Sequence, residues 1–151
     1  MAGAIVSAAG ARCLALDAAG GLAGDMFLGL LLDLGADEAH LRETLASLEL
    51  PDWTIEVGQA TRRAIGATRA DVRTVEEHAH RHLPEIEAKI DASALTPRAR
   101  RWAIEAFRAL ARAEAAVHRV PVEKIHFHEV GAADAILDIC GVCVCLDQLE
   151  I

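Results

Sequence analysis

The chain has 151 residues, of which 53% are hydrophobic and 25% are charged, and its formal net charge is −8. This length and composition predict one globular domain with a hydrophobic core and exclude a disordered chain. The negative charge argues against non-specific binding to nucleic acid, whose phosphates attract basic surfaces. No apolar run reaches the length of a transmembrane helix, so we expect no membrane partner.

Residues 1–11 are mildly apolar but lack the basic segment of a signal peptide, so we expect a flexible leader rather than a cleaved signal. The domain proper is then predicted to span residues 12–151. Of the four cysteines, Cys140, Cys143 and Cys145 crowd into one short stretch, whereas a disulfide framework would spread them more widely. The sequence therefore predicts a reducing, cytoplasmic location. Soft-metal ligation by these thiols is the alternative to burial among Val, Ile and Leu neighbours.

The first predicted elements are a buried strand and two helices. "CLALD" at 13–17 is short and apolar and ends at an acid followed by glycines, as expected of a strand. Apolar residues recur at helical spacing over 24–36, with Gly35 as the stop. Asp37 is expected to cap a second helix, because aspartate is a preferred N-cap.

A β-hairpin is predicted next. Trp53, Ile55 and Val57 alternate with polar residues, and the alternation resumes over 67–75 after a turn. Three more helices follow: one with Pro84 in its first turn, one capped by Thr96, and one beginning near Ala132. The predicted buried stripe of the Thr96-capped helix consists of Ala99, Ala103, Phe107, Leu110, Ala113 and Val117. The predicted fold is therefore α+β, with a small mixed sheet of the N-terminal strand plus the hairpin covered by about five helices.

Acids stand inside the apolar run of the last helix. Asp134 and Asp138 are four residues apart and so share one helix face. His126, His128 and Glu129 come just before them, and imidazoles with carboxylates suit a divalent first-row metal or acid–base chemistry. Capping of the helix start is the alternative for Asp134. It does not account for Asp138, which lies beyond the first turn.

A histidine-rich tract, "EEHAHRHL", precedes the third helix. His78, His80 and His82 alternate, so they point to one side of an extended segment. Histidines next to acids favour nickel, zinc or copper over magnesium. A solvated polar loop is the alternative interpretation.

A glycine-rich turn joins the first strand to the first helix. Gly20, Gly21 and Gly24 lie between Asp17 and Asp25. Such turns bind phosphate through backbone N–H groups, although the two aspartates would repel a phosphate that lacked a bridging cation. A tight turn with an acid near the helix start is the alternative.

Three stretches in this order, "LDAAGGLAGDMFLGLLLDLGA", "HRHLPEI" and "KIHFHEVGAADAILDICG", resemble the N-terminal region of the LarC-type nickel insertion proteins, from about Cys13 onward. The resemblance implies a CTP-dependent cyclometallase. Such an enzyme inserts nickel into a nucleotide-like substrate, pyridinium-3,5-bisthiocarboxylic acid mononucleotide. It forms one nickel–carbon and two nickel–sulfur bonds, with Mn²⁺ or Mg²⁺ assisting the CTP step.

The resemblance also implies a C-terminal LarC-like domain that binds the nucleotide and that this chain does not include, so we expect the chain alone to lack the full activity. Catalytic roles are predicted for three acids: Asp17, Asp25 and Glu129. Predicted Ni²⁺ ligands are His78, His80, His82, His126, His128, Asp134 and Asp138. Predicted phosphate contacts are Gly20, Gly21 and Gly24.

A second hypothesis makes the chain a non-catalytic assembly or metal-delivery module. Its nearly all-apolar last helix would then dock onto the C-terminal domain or onto another copy in a homo-oligomer. A third hypothesis is a metal-dependent phosphate or nucleotide site at the glycine-rich turn.

Overall fold

A computed structural model describes residues 2–8, 11–62, 64–75, 81–127 and 130–151 of the chain. These residues include five α-helices and short strand pairs, which confirms the predicted α+β class. The strands are β1 Ala2–Ala8, β2 Ala11–Asp17, β3 Trp53–Arg62, β4 Ile65–Thr74, β5 Arg81–His82 and β6 His126–Phe127. The helices are α1 Gly24–Asp33, α2 Glu38–Ala46, α3 Leu83–Ala92, α4 Pro97–His118 and α5 Ala133–Gln148, with a 3₁₀ turn at Val122–Lys124.

The described strands form three separate two-stranded antiparallel sheets, β1–β2, β3–β4 and β5–β6. The predicted strand at 13–17 and the predicted hairpin are both present, but they are not hydrogen-bonded to each other. β2 pairs instead with β1, a strand that was not predicted because residues 1–11 were expected to be a leader. Helix α1 packs against β4 and so joins the β3–β4 hairpin to the helical core.

Helix α5 lies at the centre of the core. It packs against α1, α2 and α4, and its side chains Ile136, Leu137 and Cys140 are fully buried. An apolar helix needs apolar neighbours, and α5 has them within its own chain. The hypothesis of an assembly module rested on the apolar character of this helix, which packing inside the domain explains.

The predicted buried stripe of α4 is correct only in its first half. Ala99, Ala103 and Phe107 are buried as expected, and the stripe then continues through Ala111 and Ala115. Ala113 is exposed and Val117 is 79% exposed, so these two positions were assigned wrongly. A constant spacing of four, mostly alanine, forms one i±4 ridge that packs against the neighbouring helices and winds slowly around α4.

Two predicted helix caps are confirmed. The Asp37 carboxylate accepts hydrogen bonds from the backbone N–H groups of Ala39 and His40, at 2.8 and 3.1 Å. The Thr96 hydroxyl accepts one from Ala99 at 3.1 Å. No helix in the described part of the chain is both long and apolar enough to cross a membrane.

Candidate functional site

The start of α1 meets α5 at Asp138. A Cβ atom placed on Gly24 would collide with Oδ2 of Asp138 and lie 2.6 Å from its Cβ. Since real Cβ atoms do not approach this closely, the contact requires glycine at position 24. The glycine-rich turn and the acid inside the last helix, which are far apart in sequence, therefore belong to one place in the fold.

Asp138 carries the most unusual electrostatics of this junction. Its Oδ1 atom is buried and has no hydrogen-bond partner within the described residues. Burial raises the pKa of Asp138, and the negative charges of Asp25 and Asp134 add to the effect, so that the pKa reaches about 6. A carboxyl group in such surroundings is costly to ionise and attracts a positive partner.

Asp25 and Asp134 occupy the first turns of α1 and α5 and are exposed. Asp25 accepts a hydrogen bond from the backbone N–H of Met26 at 2.7 Å, and Asp134 accepts one from Ala135 at 2.8 Å. Carboxylates in the first turn are stabilised by the positive end of the helix dipole. The N-cap residue of α5 is Ala132 and no side chain caps it, so Asp134 contributes to the helix start as a first-turn acid. Both acids add negative potential around Asp138.

We expect Asp138→Asn to raise the free energy of unfolding at pH 7 by about 1–2 kcal/mol, less than the full pKa shift would give because the side chain is only half-buried. The folded protein holds the Asp138 proton up to about pH 6, whereas the ordinary pKa is 3.8. The folded state therefore binds more protons in this window, and wild-type stability falls as the pH rises through it. Urea unfolding of both proteins at acidic and neutral pH measures this.

Below the ordinary aspartate pKa both side chains are neutral, so the stability difference between the two proteins should nearly vanish there. The same comparison with Asp91→Asn, an exposed acid on α3, controls for loss of one negative charge. A less stable Asp138→Asn protein at pH 7 would contradict the account, because it would show that the charge of Asp138 is stabilised in the folded state.

An apolar cleft opens beside Asp138, with a cavity volume of about 320 Å³. It lies between the start of α1, the middle of α4 and one face of α5. Its walls include Leu22, Phe27, Ala106, Ile139 and Val142, with Asp138 as the ionisable acid. No sequence pattern indicates this cleft, because its walls come from three helices whose packing the pattern does not specify.

The glycine-rich turn leads into this cleft. Gly21 has φ +90°, and its N–H donates to the carbonyl of Ala18 at 2.8 Å, while Asp17 accepts from the backbone of Ala19 at 3.2 Å. These are the local bonds of a tight turn. Because the Asp138 carboxylate touches Gly24, an unaccompanied phosphate at the start of α1 would meet like charge.

Two of the predicted histidines meet across a strand pair. His82 on β5 pairs with His126 on β6, and their ring centroids are 4.0 Å apart. Nδ1 of His82 lies 3.2 Å from the carbonyl oxygen of Ile125. When Nδ1 donates the proton in this hydrogen bond, the Nε2 lone pair of His82 is left to accept a proton or bind a metal.

Arg81 links the β5–β6 pair to the turn at Gly131 that precedes α5. This buried side chain donates a hydrogen bond to the carbonyl oxygen of Gly131 at 2.8 Å. A Cβ on Gly131 would lie 2.9 Å from the Cβ of Phe127, so glycine permits the close approach here as well. Backbone carbonyls buried in loops need such partners. The sequence signal for this contact is an arginine between two histidines, and the pattern alone marks that arginine only as part of a polar tract.

The structure thus joins the predicted residues into two groups. Gly24, Asp25, Asp134 and Asp138 lie at the α1–α5 junction, and His82 and His126 lie at the β5–β6 pair. The predictions for His78, His80, His128 and Glu129 fall outside the described residues. Within the described ranges, no three histidine, cysteine or acidic side chains are arranged to hold a metal ion.

The three clustered cysteines are buried on α5. This agrees with their interpretation as small hydrophobic residues of the core. Burial raises the pKa of the Cys143 and Cys145 thiols to about 12 and raises that of Cys140 still more. Thiols in this state are neutral and poor metal ligands at neutral pH, since the thiolate is the ligand.

The sequence that builds this fold matches a class of proteins named for metal insertion. The family model for the nickel insertion protein matches residues 14–151, so the chain belongs to the nickel insertion protein family. The predicted resemblance is confirmed. No solved structure is a significant match to the chain.

Among curated relatives, a protein of Akkermansia muciniphila named pyridinium-3,5-bisthiocarboxylic acid mononucleotide nickel insertion protein is 42% identical over 93% of the chain. A protein of Desulfitobacterium hafniense with the same name is 43% identical over 85% of the chain. A Myxococcus xanthus protein, also named for nickel insertion, is 48% identical over 91% of the chain. The chain spans only 37%, 32% and 36% of these relatives, about a third of their length.

Proposed function

We propose that this chain is the N-terminal domain of a CTP-dependent nickel insertion protein. Its substrate would be the pyridinium-3,5-bisthiocarboxylic acid mononucleotide that two of its relatives carry in their names. The domain would bind Ni²⁺ as cargo and position the substrate. CTP, with Mn²⁺ or Mg²⁺, would act in the part of the longer relatives that the chain does not match.

The observation that supports this proposal is the meeting of His82 and His126 across the β5–β6 pair. One histidine comes from the histidine-rich tract and the other from the "HFHEVGA" stretch, and the two were separate candidates in the sequence. Neutral imidazole is a good ligand for Ni²⁺, and two adjacent rings supply two of the ligands that such an ion needs. His80, His128 or the sulfur atoms of the substrate would complete the coordination.

Calorimetric titration of the chain with Ni²⁺ tests the proposal. We expect His82→Ala and His126→Ala each to weaken Ni²⁺ binding by about tenfold or more, because loss of even an outer-shell partner costs that much at many metal sites. His118→Ala, at the exposed end of α4, is the matched control and should bind as the wild type does. Equal affinity in all four proteins would refute nickel binding at this pair.

A further inference from the structure

The outer face of α4 is apolar and largely uncovered by the rest of the described chain. Trp102, Ala106, Ala109, Ala113 and Val117 recur at intervals of three and four residues, so they share one face of the helix. Ala109 and Ala113 are exposed, and Val117 is 79% exposed. At the rise of an α-helix this face is about 24 Å long. Covering it would remove apolar surface from water, which is favourable.

Two opposite charges lie along one flank of this face. Glu105 and Arg112 are seven residues apart, which is two helical turns, so they are on the same side of α4. Both are exposed, and neither forms an ion pair with a residue in the described ranges. Arg108, which lies between them, is already held by Glu87 at 2.6 Å. The flank therefore offers one acid and one base to a partner.

This charge pattern is complementary to itself. When two α4 helices run antiparallel about a two-fold axis beside Ala109, Glu105 of each copy lies next to Arg112 of the other. A parallel pair would instead put each charge against its own kind and align the two helix dipoles unfavourably. Small side chains at the axis allow the helices to approach to about 8 Å.

The net charge of the chain does not prevent this approach. The formal charge is −8, but α4 itself carries five arginines and two glutamates. Exposed charges more than about 8 Å apart are largely screened at physiological ionic strength. The contact between two α4 helices is therefore governed by the charges on α4, which pair across it.

We propose that two copies of this chain form a symmetric dimer through the outer faces of antiparallel α4 helices, with two Glu105–Arg112 ion pairs between the copies. The sequence pattern marks Ala113 and Val117 for burial, and the second copy supplies the cover that a single chain leaves out. Ala106 also lines the cleft beside Asp138, so the second copy lies along one edge of that cleft.

Sedimentation velocity of the whole chain over a range of concentrations tests the dimer. We expect a Kd of about 10 µM, because one pair of helices buries less area than a standard interface. The mass should rise from 16.1 kDa towards twice that value. Arg112→Glu and Glu105→Arg should each weaken the dimer about thirtyfold, because two attractive pairs become two repulsive pairs.

The double variant Glu105→Arg/Arg112→Glu separates a direct contact from a general charge effect. It exchanges the signs of both partners, so its Kd should return to within about threefold of the wild type. Lys124→Glu, an exposed position on the 3₁₀ turn, makes the same change of net charge as Arg112→Glu and should dimerise normally. A chain that stays monomeric at about 200 µM, tenfold or more above the expected Kd, would overturn the proposal. So would a double variant as weak as the single ones.

Disulfide formation tests the position of the axis. In a Cys13→Ser background, which removes the exposed thiol, Ala109→Cys should give a disulfide-linked dimer on oxidation. Val117→Cys should not, because the two copies of this position would be about 24 Å apart. Linking through Val117→Cys in place of Ala109→Cys would contradict the antiparallel arrangement.

The dimer and the proposed nickel site can fail independently, because the interface uses neither His82 nor His126. A monomeric chain with histidine-dependent Ni²⁺ binding refutes the dimer alone. A dimer that responds to the charge exchange, without Ni²⁺ binding at the histidine pair, refutes the nickel site alone.

Discussion

Gly24→Ala is expected to destabilise the protein by about 2–3 kcal/mol, the upper part of the range for overpacked positions. The added methyl group would lie 2.6 Å from both the Cβ and the Cγ of Asp138. The carboxylate can rotate away, but the Cβ is fixed to the backbone of α5, so the two helices must separate. Urea unfolding measures the loss.

Gly20→Ala is the matched control within the same turn. Among the described residues, no heavy atom beyond its two chain neighbours lies within 4 Å of the position that its Cβ would take. We expect its stability to stay within about 0.5 kcal/mol of the wild type, as for ordinary surface substitutions. Asp138→Ala should not rescue Gly24→Ala, because alanine retains the Cβ that causes the collision. Full rescue by that second substitution would show that the carboxylate alone makes the contact.

Gly29→Ala is expected to cost about 3 kcal/mol, since the collision is with backbone and not with a movable side chain. A Cβ on Gly29 would lie 2.6 Å from the carbonyl oxygen of Thr68 and 3.2 Å from the amide nitrogen of Ala70. These atoms belong to β4, which is paired with β3 along its whole length. The hairpin would have to move off α1, and the Thr68 hydroxyl would lose its 2.6 Å hydrogen bond to Asp33.

Gly141→Ala is the control for a buried helical glycine. The three atoms nearest to its Cβ would be methyl groups of Leu28, Leu45 and Leu41, at 3.2 to 3.6 Å. Leucine side chains can shift by a few tenths of an ångström, and alanine favours the helix over glycine by about 1 kcal/mol. Thermal unfolding should therefore show Gly141→Ala near the wild type and Gly29→Ala far below it. Similar losses in both would mean that burial, not the backbone contact, sets the cost.

Local sequence signals predicted the helices and caps of this protein well. Asp37 and Thr96 cap the helices they were expected to cap, because a cap depends on a few neighbouring residues. The hairpin followed from the alternation that begins at Trp53. Asp138 was recognised as unusual because an acid inside an apolar helix has no local explanation.

Contacts between distant segments were not predictable from these signals. Nothing in the sequence shows that Gly24 lies against Asp138, or that His82 faces His126, because neither periodicity nor spacing encodes which segments meet. The α4 stripe failed for the same reason. Several apolar faces are possible on an alanine-rich helix, and the packing of its neighbours decided that Ala111 and not Val117 is buried.

The meeting of α1 with α5 also sets when the cleft can exist during synthesis. α1 lies in the first quarter of the chain, and α5 lies near its end. Contacts between these two helices join segments that are far apart in the sequence. The backbone N–H of Asp37 likewise donates a hydrogen bond to the side chain of Gln148, 111 residues further along. Pairings of such separation form late, because a long loop must close first. A growing chain therefore has no cleft until α5 has left the ribosome.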